Sequence, residues 1–512
     1  MRSSIPIKMS ELTTIFLAKI SLATVGIGFA ALFYFFRKNK SFKKVLIGIF
    51  IPFVILASWG FLNFDKNIIR TGYWDIYHYY LNAKYFDELG YFDLYRASLV
   101  ANAENGGPFE NVAKVRDLST QIQTIPDSSS AEAESMRAKF SPARWEEFRA
   151  DVKFFFEKLT PVVLTDRGYN ASPTWNKTGS LIANALPLTN PATIPIIYSL
   201  DILILVAIFG IITASFGIVP ALFFVLLLGV NPLEMRPLQF AFLRLDWLLA
   251  LVGSIALWRK QKFGLSGALL ALSALLRIFP VVLLTGAIVQ AGLEFWRKRK
   301  ISPAFQKFFL GFAIAALVLL LYGSLNQANH LDFSRWVDFG KKIIIHSQTA
   351  SNQRSGINYL IPDAIDFLRL PVKLLMLGLF AWAIRRAPSE KLIPLSLLLV
   401  PVVTAPASYY FCSVSVLVLA FADLAKKENA LALSCILLAF ILETFGVIYE
   451  NVYHNSDTSY YWSGLFFILS VALLFVVANE KNTLDPMGAD KKIKSLFSKN
   501  PKAVNKVKST KL

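Results

Sequence analysis

The chain is expected to fold as an all-α polytopic membrane protein, and three observations carry that expectation. Of its 512 residues 55% are hydrophobic and only 17% charged, against about 25% charge in an ordinary soluble domain. The mean hydropathy is +0.50. Many apolar runs approach the roughly 20 residues that cross the hydrocarbon core of a bilayer. The formal charge of +19 argues for topology and against nucleic acid, because Lys and Arg gather in short loops between apolar runs and in the tail.

Two N-terminal spans come first, within residues 1–64: Leu12–Phe36, too long for the apolar region of a signal peptide, and Val45–Phe64. Residues 65–192 form a long outer loop, nearly charge-balanced, with an amphipathic helix expected around Lys139–Phe156, lying on the membrane or on the bundle. Residues 193–480 form the remaining bundle, with spans near 193–214, 215–231, 239–258, 304–325, 370–385, 430–449 and 461–478. Two further stretches, Phe263–Trp296 and Leu392–Leu424, are basic at both ends, so each must cross an even number of times. Each is therefore expected to be a hairpin of short helices, about 24 Å long apiece in the first case at 1.5 Å per residue. The first turns at Arg277-Ile278-Phe279-Pro280, where proline removes a donor and restricts its predecessor. That makes about 13 crossings, with the N-terminus outside, the C-terminus inside, and 481–512 as a basic, disordered tail. Cys412 and Cys435 lie in apolar runs and read as core residues.

The chemistry concentrates at Gly72–Arg96, GYWDIYHYYLNAKYFDELGYFDLYR, directly after the second span. Its tyrosines suit a membrane interface, where aromatic rings with polar tips collect. Asp75 does not help insertion, and a carboxylate at a membrane edge is a candidate general base; the competing reading is a helix cap. His78, three residues on, shares a helix face with it and either positions it, contacts a substrate phosphate, or packs structurally. Arg277, at a hairpin tip, suits an anionic group, or merely snorkels to headgroups. Asn352-Gln353-Arg354 fall in the medium outer loop, where Arg354 binds anion or sugar, or caps a loop. Arg244 and Asp246 read as a structural pair, although two residues apart they do not face each other. Asp87 and Glu88 read as a solvated helix face. An Asp–His pair does not make a metal site, and no cofactor is expected.

The order of these pieces resembles the polyprenyl-phosphate-sugar-dependent glycosyltransferases of the GT-C superfamily, nearest to glycosyltransferase family 87. Trp74-Asp75-Ile76-Tyr77-His78-Tyr79-Tyr80, followed by Gly90-Tyr91-Phe92-Asp93-Leu94-Tyr95, is similar to the family's first outer loop. Ser172-Pro173-Thr174-Trp175 with Leu186-Pro187-Leu188 resembles that loop's exit. Leu276-Arg277-Ile278-Phe279-Pro280 resembles a basic-x-x-Pro hairpin, and Asn352-Gln353-Arg354-Ser355-Gly356 an Asn-Gln-Ser loop. Pro406-Ala407-Ser408-Tyr409-Tyr410 resembles a Ser-Pro-x-Ser-Trp-x-His turn, with tyrosines where Trp and His stand in the family. The resemblance implies a GT-C-type bundle and inverting transfer of a sugar from a polyprenyl monophosphate to a glycan, lipid or protein acceptor outside the membrane, in a bacterium the plasma membrane. It makes Asp75 the base, and His78, Tyr79, Arg277, Asn352, Gln353, Arg354 and Tyr409 the substrate-binding set. A lipid or solute transporter or flippase is the alternative; it is expected to show inverted repeats and charges near the midplane, which the one-sided clustering of polar residues disfavours.

Overall fold

A computed structural model describes residues 9–62, 68–109, 112–127, 129–232, 241–348, 354–453 and 458–480. It is an all-α membrane protein. Among the described residues seven helices are long and apolar enough to cross a bilayer: Thr14–Phe35, Lys40–Trp59, Thr193–Phe216, Phe279–Lys298, Pro303–Gly323, Asp363–Ile384 and Lys427–Ile448. Shorter apolar helices lie at Ile218–Val230, Phe263–Leu276, Tyr409–Phe421 and Ser463–Asn479.

Helices α1 (Met9–Phe35) and α2 (Lys40–Leu62) form a hairpin. Its turn ends at Asn39, whose Oδ1 accepts the Phe42 N–H at 3.0 Å, as a helix N-cap does. Outside it, α3 (Ile68–Ile76) runs into a single π-helical turn, Tyr77–Leu81. Then come α4 (Leu94–Glu104), a small hairpin of β1 (Val115–Arg116) with β2 (Gln123–Thr124), α5 (Pro142–Phe156) and α6 (Pro173–Ala185). The bundle continues with α7 (Thr193–Phe216), α8 (Ile218–Val230), α9 (Asp246–Arg259), α10 (Phe263–Leu276), α11 (Thr285–Lys298) and α12 (Pro303–Gly323). Helix α13 (Ser334–Gln348) lies in the medium loop, 326–370, and α14 (Arg369–Ile384), α15 (Lys427–Tyr453) and α16 (Thr458–Asn479) follow.

Helices α10 and α12 pack closest, because glycines let their backbones meet. A Cβ on Gly267 would overlap the Phe308 carbonyl, and one on Gly311 the Gly264 carbonyl. Helix α10 stops where the Arg277-Ile278-Phe279-Pro280 run predicts: Arg277 is extended (φ −144°, ψ 123°) and a 3-10 stretch, Phe279–Leu284, follows. Leu392–Leu424 is broken into short turns around Thr404–Ala407. Cys412 and Cys435 are free thiols.

The first outer loop differs from its expected character. Tyr77, Tyr80, Tyr85, Tyr91, Tyr95, Tyr169 and Trp175 are core residues of a folded layer, each less than 2% exposed. Burial is affordable because their polar tips are satisfied: Tyr77 donates to Ser98 Oγ at 2.9 Å, Tyr80 to the Leu186 carbonyl at 2.6 Å, and Tyr91 to the Ala171 carbonyl at 2.9 Å. Helix α5 also turns inward, packing on α4, with Phe148 against Tyr85 and with Phe155 and Phe156 against Tyr77. Its Asp151 is buried against Lys84 Nζ at 2.6 Å and Tyr85 Oη at 2.8 Å. Asp87 is exposed, as a solvated face requires, and Glu88 is half-buried, but both are also tie points. Asp87 binds Arg335 of α13 and accepts the Gln327 N–H at 2.8 Å, which docks the medium loop onto the first; Glu88 binds Arg144 Nε at 3.0 Å.

Candidate functional site

Asp75 sits in the last turn of α3, so it is not an N-cap. It is 7% exposed. The π turn that follows widens the helix by one residue and redirects Tyr79 and Tyr80, a device common at functional sites. Facing Asp75 is the segment Ala241–Leu245, just before α9. The Phe242 N–H donates to Asp75 Oδ2 at 3.2 Å, and Arg244 Nε lies 3.5 Å from Oδ1. The Arg244 guanidinium lies 3.9 Å above the Tyr79 ring and 5.4 Å from the Tyr409 ring, a range in which a cation is attracted to the ring face.

This segment is held rather than free. The Arg244 and Leu245 amides both donate to Asp201 of α7 at 3.1 Å. Trp175 Nε1 donates to the Leu243 carbonyl and Trp247 Nε1 to the Arg244 carbonyl, each at 3.0 Å. These bonds keep Leu243 at φ +51°, a conformation costly for a residue with a Cβ. Arg277 enters from the end of α10, 6% exposed, with its guanidinium 5.5 Å from the Trp175 ring. Its Nη1 donates to the Leu276 carbonyl at 2.8 Å. Its Nε and Nη2, and the Nε and Nη1 of Arg244, are buried without a hydrogen-bond partner among the described residues. Unpaired buried donors of this kind are rare and call for an explanation.

Burial raises the Asp75 carboxyl above the usual range; Arg244, the Phe242 amide, His78 and Arg277 oppose that shift. Burial also pushes the Tyr79 hydroxyl up to about 12, opposed by Arg244, so Tyr79 is a neutral donor. Its hydroxyl donates a hydrogen bond to Asn170 Oδ1 at 2.5 Å.

The other predicted residues separate into groups. Tyr409 joins the Asp75 cluster, its ring tilted at 52° and 4.6 Å from that of Tyr410, which packs on Trp247 and Phe279. His78 is close to Asp75 but fully engaged. Its Nδ1 lies 2.7 Å from the Trp74 carbonyl, which can only accept, so Nδ1 carries the proton and Nε2 accepts from Tyr95 Oη at 2.7 Å. Burial lowers the ring's pKa; it is a packed neutral imidazole. Among the described residues Arg354 makes no bond to the Asp75 cluster and is engaged with the backbone of α13. Its guanidinium bonds the His346 carbonyl and, at 3.1 Å, the Ser347 carbonyl, closing the C-terminal end of α13. Its backbone pairs with Ala407, and the Ser355 N–H donates to the Pro406 carbonyl at 3.2 Å, so this strip supports the turn carrying Tyr409. Asn352 and Gln353 lie outside the described residues.

Arg244 was readable only as half of a local pair with Asp246. In the fold it faces Asp75 instead. A cation in an apolar run needs an acidic partner, but nothing local identifies one 169 positions away. No group of three or more His, Cys, Asp or Glu residues among the described ones is arranged to hold a metal ion. No family model, curated protein or solved structure matches the chain.

Chemically, the arrangement offers one carboxylate with lone pairs to spare, two guanidiniums with free donors, and a wall of tyrosine and tryptophan rings. That combination suits deprotonating a hydroxyl beside an anion.

Proposed function

We propose that the chain is an integral membrane glycosyltransferase. It moves a sugar from a polyprenyl monophosphate to an acceptor hydroxyl on the extracytoplasmic side, with inversion. The observation that carries this reading is the buried ion pair of Asp75 with Arg244, beside guanidinium donors of Arg244 and Arg277 that have no hydrogen-bond partner among the described residues. The acceptor oxygen attacks C1 of the sugar and Asp75 takes its proton. The bond from C1 to the phosphate oxygen breaks, and the polyprenyl phosphate leaves with the electron pair. Arg277 stabilises the growing charge on that phosphate. The rings of Tyr79 and Tyr409 pack on the sugar. Arg244 keeps Asp75 oriented.

The reading includes about 13 crossings, an outer N-terminus, an inner C-terminus, and a plasma-membrane location if the source is bacterial. Its support is the distribution of basic loops. A Ser119→Cys variant lacking Cys412 and Cys435 should react with an impermeant thiol reagent from outside.

The activity is tested by incubating purified protein with a panel of polyprenyl-phosphate sugars and candidate acceptors. Asp75→Asn keeps shape and removes basicity, so turnover should fall by about 10²–10⁴-fold at equal membrane abundance. Parent-like turnover in Asp75→Asn would remove the base from the mechanism.

A further inference from the structure

A partly open cavity of about 580 Å³ lies at the end of the bundle opposite Asp75. Helix α9 sets the separation. It starts beside Arg244 and ends at Arg259 on the cavity wall, about 20 Å away at 1.5 Å per residue. Five cations line the space: Arg37, Lys43, Arg259, Lys391 and Lys426. Two acids, Glu390 and Asp423, line it with them.

The cations are not equally committed. Glu480 binds Lys391 at 2.6 Å and Lys426 at 3.0 Å. Glu390 lies 3.6 Å from Arg259. Arg37 donates to its own Tyr34 carbonyl at 2.9 Å and stacks over the Tyr34 ring. Among the described residues neither Arg37 nor Lys43 has an acidic partner. Both lie at the α1–α2 turn, where helix ends bring side chains to headgroup level. Apart from Asn429, which accepts from Lys391, the rest of the wall is apolar, including Phe33, Ile47 and Phe216. The outer face of α2, with Val45, Ile49 and Ile55 exposed, leads from this end into the hydrocarbon region.

We infer that this cavity seats the phosphate of an anionic phospholipid from the adjoining leaflet. A phosphodiester on an apolar stem matches cations on one wall and hydrocarbon on the other, and basic pockets between helix ends are a recognised lipid-binding design. A small soluble anion would use the cations but leave the apolar wall without purpose. The lipid sits across the joint of α1, α2, α8 and α9, and so holds that end of the bundle together. This inference does not depend on the outer-face activity.

The test uses full-length protein in nanodiscs of phosphatidylcholine, with or without phosphatidylglycerol. Retained lipid is read by native mass spectrometry and stability by thermal unfolding. The parent should retain phosphatidylglycerol preferentially and unfold at higher temperature with it. Arg37→Gln with Lys43→Gln should weaken that retention roughly tenfold or more, since each cation near the headgroup contributes about a factor of five. Lys43→Gln alone, at an exposed side chain, should weaken it less. Lys158→Gln, in the outer layer, should change nothing. Equal retention of the two lipids by the parent, or parent-like retention by the double variant, overturns the inference. Inorganic pyrophosphate raising stability in pure phosphatidylcholine as far as phosphatidylglycerol does would assign the cavity to a soluble anion and also overturn it.

Discussion

Removing Arg244 should damage the protein through Asp75, and in a way that depends on pH. At 3.5 Å two unit charges at an effective dielectric of 20 attract by about 5 kcal/mol, an upper figure for the pair. Breaking a buried pair by deleting one partner typically costs about 3–5 kcal/mol, because the survivor stays buried and uncompensated. Arg244→Met keeps much of the packing on Tyr79 while removing the charge. Asp75 then escapes part of the penalty by taking a proton. Its folded-state pKa is already raised by burial and rises further without Arg244. A carboxyl with a raised folded pKa stabilises the fold at low pH, and that contribution fades as pH climbs to the folded value. The loss in Arg244→Met should therefore be smaller at acid pH and grow as pH rises. Adding Asp75→Asn should recover about 2 kcal/mol or more, because no charge is then left unpaired. Thermal unfolding or a denaturing-detergent titration of the four proteins at two pH values reads the cycle. Losses that simply add, within about 0.5 kcal/mol, or a loss independent of pH, would refute the coupling.

Three further outcomes are expected. Arg277→Ala should raise the donor KM and lower kcat in the transfer assay, with Arg277→Lys retaining part of both, since Lys supplies the charge without the planar fork; unchanged donor kinetics at normal abundance would exclude a phosphate contact. Gly267→Leu should destabilise the bundle by about 3 kcal/mol or more, at the upper end for overpacking, because the new side chain meets the backbone of α12 and not a movable rotamer. Lys342 of α13, whose ammonium is brought down to about 7 mainly by burial, is charged in the unfolded chain up to about pH 10, so stability should increase as pH rises from about 7 toward 10; Lys342→Met should flatten that rise in unfolding temperature, and an equal slope in both proteins would show that the amine is not the source.

What was legible in the sequence is what local pattern encodes. The break at Arg277 follows from one proline, and α5 follows from helical spacing of its aromatics behind a Ser141 cap whose hydroxyl accepts the Arg144 N–H. Asp75 stands out as an acid at a membrane edge, an oddity visible without any fold. Its partners were hidden because they come from chain far away: the Phe242 amide is 167 positions distant, and a backbone donor carries no side-chain signal. The tyrosines misled for a related reason. A ring with a polar tip suits a lipid interface and a hydrogen-bonded core equally, and only the tertiary position of Ser98, Asp151 and Ala171 decides between them. Arg354 is ambiguous for the same cause, since both a loop cap and an anion contact ask for a guanidinium.

The backbone around the cluster gives an independent reason to regard it as functional. On one side of Asp75 the helix is interrupted by a π turn; on the other, the facing segment holds Leu243 in a left-handed conformation. Each departure costs stability, the second by about 1–2 kcal/mol. Simple packing does not need them, because a regular helix and an extended loop would bury the same rings. What they achieve together is to bring the Phe242 amide and the Arg244 side chain onto one carboxylate while leaving four guanidinium donors unpaired. Folding alone would select against that state, since buried donors without acceptors cost about 1–3 kcal/mol each. A bound anion would reverse the sign of those terms. Relieving the strain should therefore separate stability from activity. Leu243 is buried, so Leu243→Ala and Leu243→Gly both lose its packing, by about 2–5 kcal/mol, but only glycine also relieves the left-handed strain. Leu243→Gly should therefore unfold at a higher temperature than Leu243→Ala, while loosening the segment and lowering turnover further. A Leu243→Gly protein more stable than Leu243→Ala and at least as active would show that the strained segment is incidental to the chemistry.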